Sequence, residues 1–240
     1  MGEEEHVFTI FSAVRALPGF EHIDPGIPAS WLVIVLLGAV CALGTQHMKR
    51  VPSGLQNVVE WAYEILANFI QRLMPHGGRR WTPFLGTLFL YIFVMNVLGV
   101  VPGFVSPTAN LNMTLSLALV VFLTTHVVGV VHHGPLGYLK NLAGEPLVLA
   151  PLMLPVHMIG ELSRPVSLSV RLFGNIFGED TVIASLVAIG AVIFNATHYV
   201  LPIPIHLPLV LLAIFTSFVQ ALIFMMLAAT YIGGAIEGGH

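Results

Sequence analysis

From Ile27 to His47 the chain carries no Asp, Glu, Lys or Arg, and comparable uncharged apolar runs recur over Thr82–Val101, Leu111–Val131 and Leu209–Ile236. About 20 mostly apolar residues in helical conformation cross a hydrocarbon core of ~30 Å. These runs therefore predict an all-α integral membrane protein. Composition agrees: the 240 residues are 56% hydrophobic and 9% charged, with a mean hydropathy of +0.89, against roughly 25% charged residues in an ordinary soluble domain. The nine basic residues are scattered and the formal net charge is −3, so there is no electrostatic footprint for nucleic acid. Cys41 is the only cysteine, which excludes an intrachain disulfide framework or an iron–sulfur site.

Breakers and charge divide the rest into a single membrane domain over 1–240. An outer segment spans 1–26, and helices are expected over 27–48, 82–102 and 111–133. A long, tilted, Pro-interrupted helix is expected over 147–198 and a last helix over 206–236. Between the first two spans, apolar Leu55, Val58, Val59, Ala62, Ile65, Leu66, Phe69, Ile70 and Leu73 recur at helical spacing with Gln56, Glu60, Glu64, Gln71 and Arg72 on other faces. That pattern predicts an amphipathic surface helix over 53–75. About five embedded helices plus one surface helix result. The stretch from Val166 to Thr197 alone would be about 48 Å long at ~1.5 Å per residue, which calls for a steeply tilted hairpin with the last helix.

The N-terminus, Met1-Gly2-Glu3-Glu4-Glu5, is acidic where a signal peptide is basic, and His6 breaks the myristoylation pattern. Lys49, Arg50, Arg72, Arg79, Arg80 and Lys140 fall on one side if the spans alternate. Basic loops favour the cytoplasm, so the N-terminus is expected outside and the C-terminus inside.

Arg171 stands at the deepest point of one apolar stretch. An arginine at mid-span costs about 2.5–3.5 kcal/mol even on a lenient insertion scale. Its helical neighbours, Ser167 and Asn175 at four residues and Arg164 and Gly178 at seven, include no acid. The counter-charge must come from another helix, another chain or a water-filled cleft. Ser163, Ser167, Gly174 and Gly178 share roughly its face, a small-residue stripe that admits a close partner helix. The guanidinium stays protonated, so its role is electrostatic: to hold a passing carboxylate in its charged form and to block a cation leak.

The polar groups that would build ion paths around it are Glu179, Asp180, Glu161, His157, Asn96, Asn110, Asn112, Gln220, His198 and His206. Asp180 lies about 180° around the helix from Arg171 at ~100° per residue, suiting it to face an access channel. His126, His132 and His133 form no His-Glu-x-x-His motif, and no phosphate loop or Gly-x-Ser-x-Gly elbow is present. No cofactor, metal or nucleotide chemistry is expected of this chain.

The segment Arg164-Pro165-Val166-Ser167-Leu168-Ser169-Val170-Arg171-Leu172-Phe173-Gly174-Asn175 resembles the signature of subunit a of the F-type ATP synthase membrane sector. The resemblance extends to Phe93-Val94-Met95-Asn96 with Val101-Pro102, to Pro107–Thr114, and to Gln220–Met226 with Tyr231, covering most of the chain from residue 27. It implies the stator half of a proton-driven rotary motor, not an enzyme on its own. Its implied partners are a ring of c subunits bearing the carboxylate that Arg171 meets, the b-subunit peripheral stalk, other ATP synthase subunits and the lipid bilayer. Arg171 would be the essential arginine, Asn175 and Gln220 its polar neighbours, and Asp180 the titratable group nine residues on. Adjacent Glu179 departs from the commoner single acid, so both carboxylates stay open for the access role. A bacterial plasma (inner) membrane is the location this resemblance implies.

If Arg171 and Gln220 reach equal depth, the hairpin turns near residue 195, whereas the Pro-rich link centres near 203. That offset is about eight residues, or 24 Å of relative misplacement over two helices. The turn must then come early, or one helix must kink. A stand-alone secondary transporter, with Arg171 binding an anionic substrate, is the alternative; such folds often carry paired repeats, and no second copy of the arginine segment occurs.

Overall fold

A computed structural model describes residues 26–46, 48–75, 77–101, 104, 106–143, 150–197 and 207–237. Six α-helices follow in order: α1 Gly26–Thr45, α2 Leu55–Leu73, α3 Gly78–Val100, α4 Leu111–Ala143, α5 Ala150–Thr197 and α6 Leu207–Glu237, with a short 3-10 turn at Pro107–Ala109 before α4. There is no strand among the described residues. All helices but α2 are long and apolar enough to cross a membrane.

The core forms where α3 meets α6. Leu85, Ile92 and Met95 of α3 and Phe224, Met225, Ala228, Ala229 and Ile232 of α6 are buried in one cluster. The alanines let the backbones approach, as small residues do between helices in lipid. Phe218 of α6 is met edge-on by Phe89 and Phe93 of α3, with ring centroids 5.7 and 6.0 Å away; such contacts add about 0.5–1.5 kcal/mol each. On the other side α4 packs extensively along α5, where Val121 faces a buried row of Leu168, Leu172 and Ile176.

Two boundaries differ from the sequence expectation. The helix expected from Thr82 begins at Gly78, because the Arg79-Arg80 pair sits in its first turn and charge does not end a helix that leaves the apolar layer. The run expected to stop at His133 instead continues to Ala143 across a break at Gly134 (φ 72°, ψ 162°). Glycine reaches that left-handed φ without a Cβ clash, and Pro135 supplies the fixed φ that suits the first position of the resumed helix.

The 48 residues of α5 contain Pro155 and Pro165 yet form one helix. At ~1.5 Å per residue it is about 72 Å long, more than twice the hydrocarbon thickness. It must cross obliquely or project well beyond the apolar layer.

Candidate functional site: the exposed arginine and the α5–α6 seam

Arg171 is exposed on α5, together with Ser163, Ser167, Gly174 and Gly178. Its helix is anchored from behind by Leu168 and Leu172, which are buried. Among the described residues the guanidinium has no hydrogen-bond or ion-pair partner. A permanent cation presented on a strip of small side chains can accept an anionic group such as a carboxylate.

One turn further along α5, Asn175 Nδ2 donates to Gln220 Oε1 of α6 at 2.8 Å. A second turn on, Thr216 Oγ1 donates to Glu179 Oε2 at 2.8 Å. Both pairs are centred midway between residues 197 and 198, so one antiparallel register holds along the seam. It sets Asn175, not Arg171, level with Gln220; Arg171 is level with Phe224, which is fully buried. The equal-depth assumption that put the turn near 195 is corrected by one helical turn in register, which moves the centre by about two residues. The shift arises because the amide–amide bond, the direct polar contact available to Gln220, fixes the register.

Beside these pairs lies a cavity of ≈ 350 Å³ lined by Asn175, Gly178, Glu179, Thr216 and Gln220 among apolar side chains. Glu179 lines it and Asp180 does not. Gln220 Nε2 is buried there without a partner. A roomy cavity with an unpartnered donor suits ordered water.

A family model described as ATP synthase A chain matches residues 27–233. The chain belongs to the ATP synthase A chain family. ATP synthase subunit a of Trichlorobacter lovleyi is 43% identical over 211 residues, 88% of this chain and 86% of that protein. ATP synthase subunit a 3 of Pelobacter propionicus is 41% identical over 239 residues, 98% of this chain and 99% of that one. ATP synthase subunit a of Geobacter sulfurreducens is 41% identical over 214 residues, 89% and 88% respectively.

In this ATP synthase A chain family member, the residues expected from the sequence fall into separate groups. Asn175, Glu179 and Gln220 come together at the seam. Asn96 is buried on α3, where its Oδ1 accepts a 2.6 Å hydrogen bond from Thr108 while its Nδ2 is unpartnered. Asn110 Oδ1 accepts from the Asn112 backbone N–H at 2.8 Å, the bond of an N-cap to α4. Glu161 is occupied by an ion pair with Arg164, and His157 is exposed nearer the start of α5. His198 and His206 lie outside the described residues. Sequence reading missed Thr216 and Thr108. The available signal for Thr216 was its spacing, one turn before Gln220 as Glu179 is one turn after Asn175.

Proposed function

We propose that this chain is the stator subunit of a rotary ATP synthase in a bacterial plasma membrane, conducting protons through two half-channels to and from a carboxylate on a ring of c subunits. The observation that carries the reading is Arg171: exposed, unpartnered among the described residues, and flanked by small side chains on an otherwise apolar face. With basic loops in the cytoplasm, the N-terminus is outside, the C-terminus inside, and α5 runs outward. The ≈ 350 Å³ cavity then lies on the outer side of Arg171.

Protons enter through that cavity, with Glu179 as the carboxylate at its wall, and neutralise a c-subunit carboxylate. A neutral carboxyl group tolerates the lipid through which the ring carries it. On its return, the positive field of Arg171 favours the charged carboxylate, and the proton leaves toward the cytoplasm. Because Arg171 cannot give up its own proton, it separates the two paths. The b-subunit stalk and the other ATP synthase subunits hold this chain against the ring's reaction torque.

The test is ATP-driven acidification of inverted vesicles carrying Arg171→Ala, with assembly of the complex followed by blot. Lost pumping with normal assembly is the expected result. Undiminished pumping would make Arg171 structural and end this reading.

A further inference from the structure

Arg164 precedes Arg171 by seven residues, about 10.5 Å along α5 and within ~20° of the same face. Unlike Arg171 it has two partners, while about 40% of its side chain stays exposed. Its Nη1 donates to Glu161 Oε2 at 2.9 Å and lies 2.8 Å from Oε1 in the same ion pair. Its guanidinium carbon lies 4.9 Å from the ring centroid of Tyr231 on α6. The Arg164–Tyr231 pair is centred midway between residues 197 and 198, the register of Asn175–Gln220 and Glu179–Thr216. Three independent contacts of different chemistry thus report one alignment of α5 on α6, two outward of Arg171 and one inward.

The surroundings show what kind of contact this is. Ala118, Val121, Phe122 and Thr125 of α4 close over Arg164, Pro165 and Leu168, leaving a cavity of only ≈ 10 Å³. That is at the lower limit for a single water. On its α4 side the junction is tightly packed, and Glu161 serves there as a tie for Arg164. Arg suits the task because one planar cation can take a carboxylate at its edge and an aromatic ring on its face.

We infer that Arg164, held by Glu161 and Tyr231, is a positioning residue that sets the height and rotation of Arg171. The inference rests on the reading of Arg171 as the charge that meets a passing carboxylate. Arg171 has nothing in front of it among the described residues, so its placement depends on how α5 is held on either side. Asn175–Gln220 and Glu179–Thr216 hold α5 on one side of Arg171 only. Adding the inward clamp makes a two-point attachment, which fixes rotation as well as height. Small misplacements at a reacting centre carry large rate penalties, and this attachment guards against them.

The experiment uses the assembled complex in inverted vesicles and reads protons pumped per ATP hydrolysed, with assembly checked by blot. Tyr231→Leu, Tyr231→Met and Arg164→Gln are expected to lower that ratio about fivefold, the factor carried by one partly desolvated cation–π contact. Tyr231→Phe keeps the ring face and Arg164→Lys keeps the cation, so both should stay near wild type. Arg164→Gln combined with Tyr231→Leu should be no worse than either alone. Reading Met beside Leu leaves a measurement if one of them fails to assemble. Wild-type coupling in the ring-less variants, a Phe variant as impaired as Leu, or additive losses in the double variant would overturn the clamp. Arg171→Ala runs alongside: if it abolishes pumping while the ring-less variants do not, only the clamp falls; if it pumps normally, the stator reading falls.

Discussion

Asn175 and Gln220 meet at 2.8 Å across α5 and α6, one turn C-terminal to Arg171 on α5, and the bond uses only half of the Gln220 amide. Its Nε2 is left buried and unpartnered. Removing the Asn175 side chain would leave both ends of Gln220 unsatisfied, which is costlier than losing the bond itself. A double-mutant cycle with Asn175→Leu and Gln220→Leu, read on thermal stability of the complex, should therefore show a coupling of about 0.6–1.7 kcal/mol, the range of interhelical hydrogen bonds in membranes. Strict additivity would mean that the two side chains do not share the bond.

The two adjacent carboxylates should behave differently. Glu179 lines the cavity and accepts from Thr216, whereas Asp180 does neither. Glu179→Gln is expected to reduce ATP-driven pumping by about 10²-fold, the lower end for removing a proton-transfer group, and Asp180→Asn to reduce it less. The reverse order would move the access role to Asp180.

Water in the cavity is open to chemical test. A Cβ added at Gly178 meets nothing within 4 Å, so Gly178→Cys fits without distortion. In a Cys41→Ala background this thiol should react with a small charged, membrane-impermeant reagent applied from the outer side. Ala118→Cys, at the tight junction beside Arg164, should resist it. Equal protection of both positions would show that the cavity is dry.

Gly99 packs against Ser106, close enough that any Cβ there would collide with that side chain and its backbone. This contact brings the 3-10 turn back so that Thr108 can donate to Asn96. Gly99→Ala should destabilise the protein by about 1–3 kcal/mol, the usual cost of overpacking, measured as a lower unfolding temperature in detergent.

Much of this was legible in the sequence, because hydrophobic runs of more than about 20 residues and a lone mid-span arginine are strong local signals. Asn175, Gln220 and Glu179 were picked out as polar groups in apolar surroundings, and they are the ones that gather at the seam. Their register was misread by one turn at Gln220, since depth was inferred from Arg171 and not from the amide pair that sets it. The extension of α4 past Gly134 was missed because Gly-Pro reads as a stop, although after the break at Gly134 the helix resumes to Ala143. Arg164 and Tyr231 are 67 residues apart, and no local pattern joins them.

The contrast between ≈ 350 Å³ beside Glu179 and ≈ 10 Å³ beside Arg164 has an electrical consequence. A water-filled pocket is nearly equipotential with the solution that feeds it, whereas a packed junction is an insulator. The transmembrane voltage would then fall mainly across the dry stretch, concentrating near Arg171 a field worth about 2.3 kcal/mol per elementary charge per 100 mV. In the outer pocket, level in potential with the solution, the proton concentration would follow the outer pH, so the pH difference would act at the pocket carboxylate and the voltage at the crossing past Arg171.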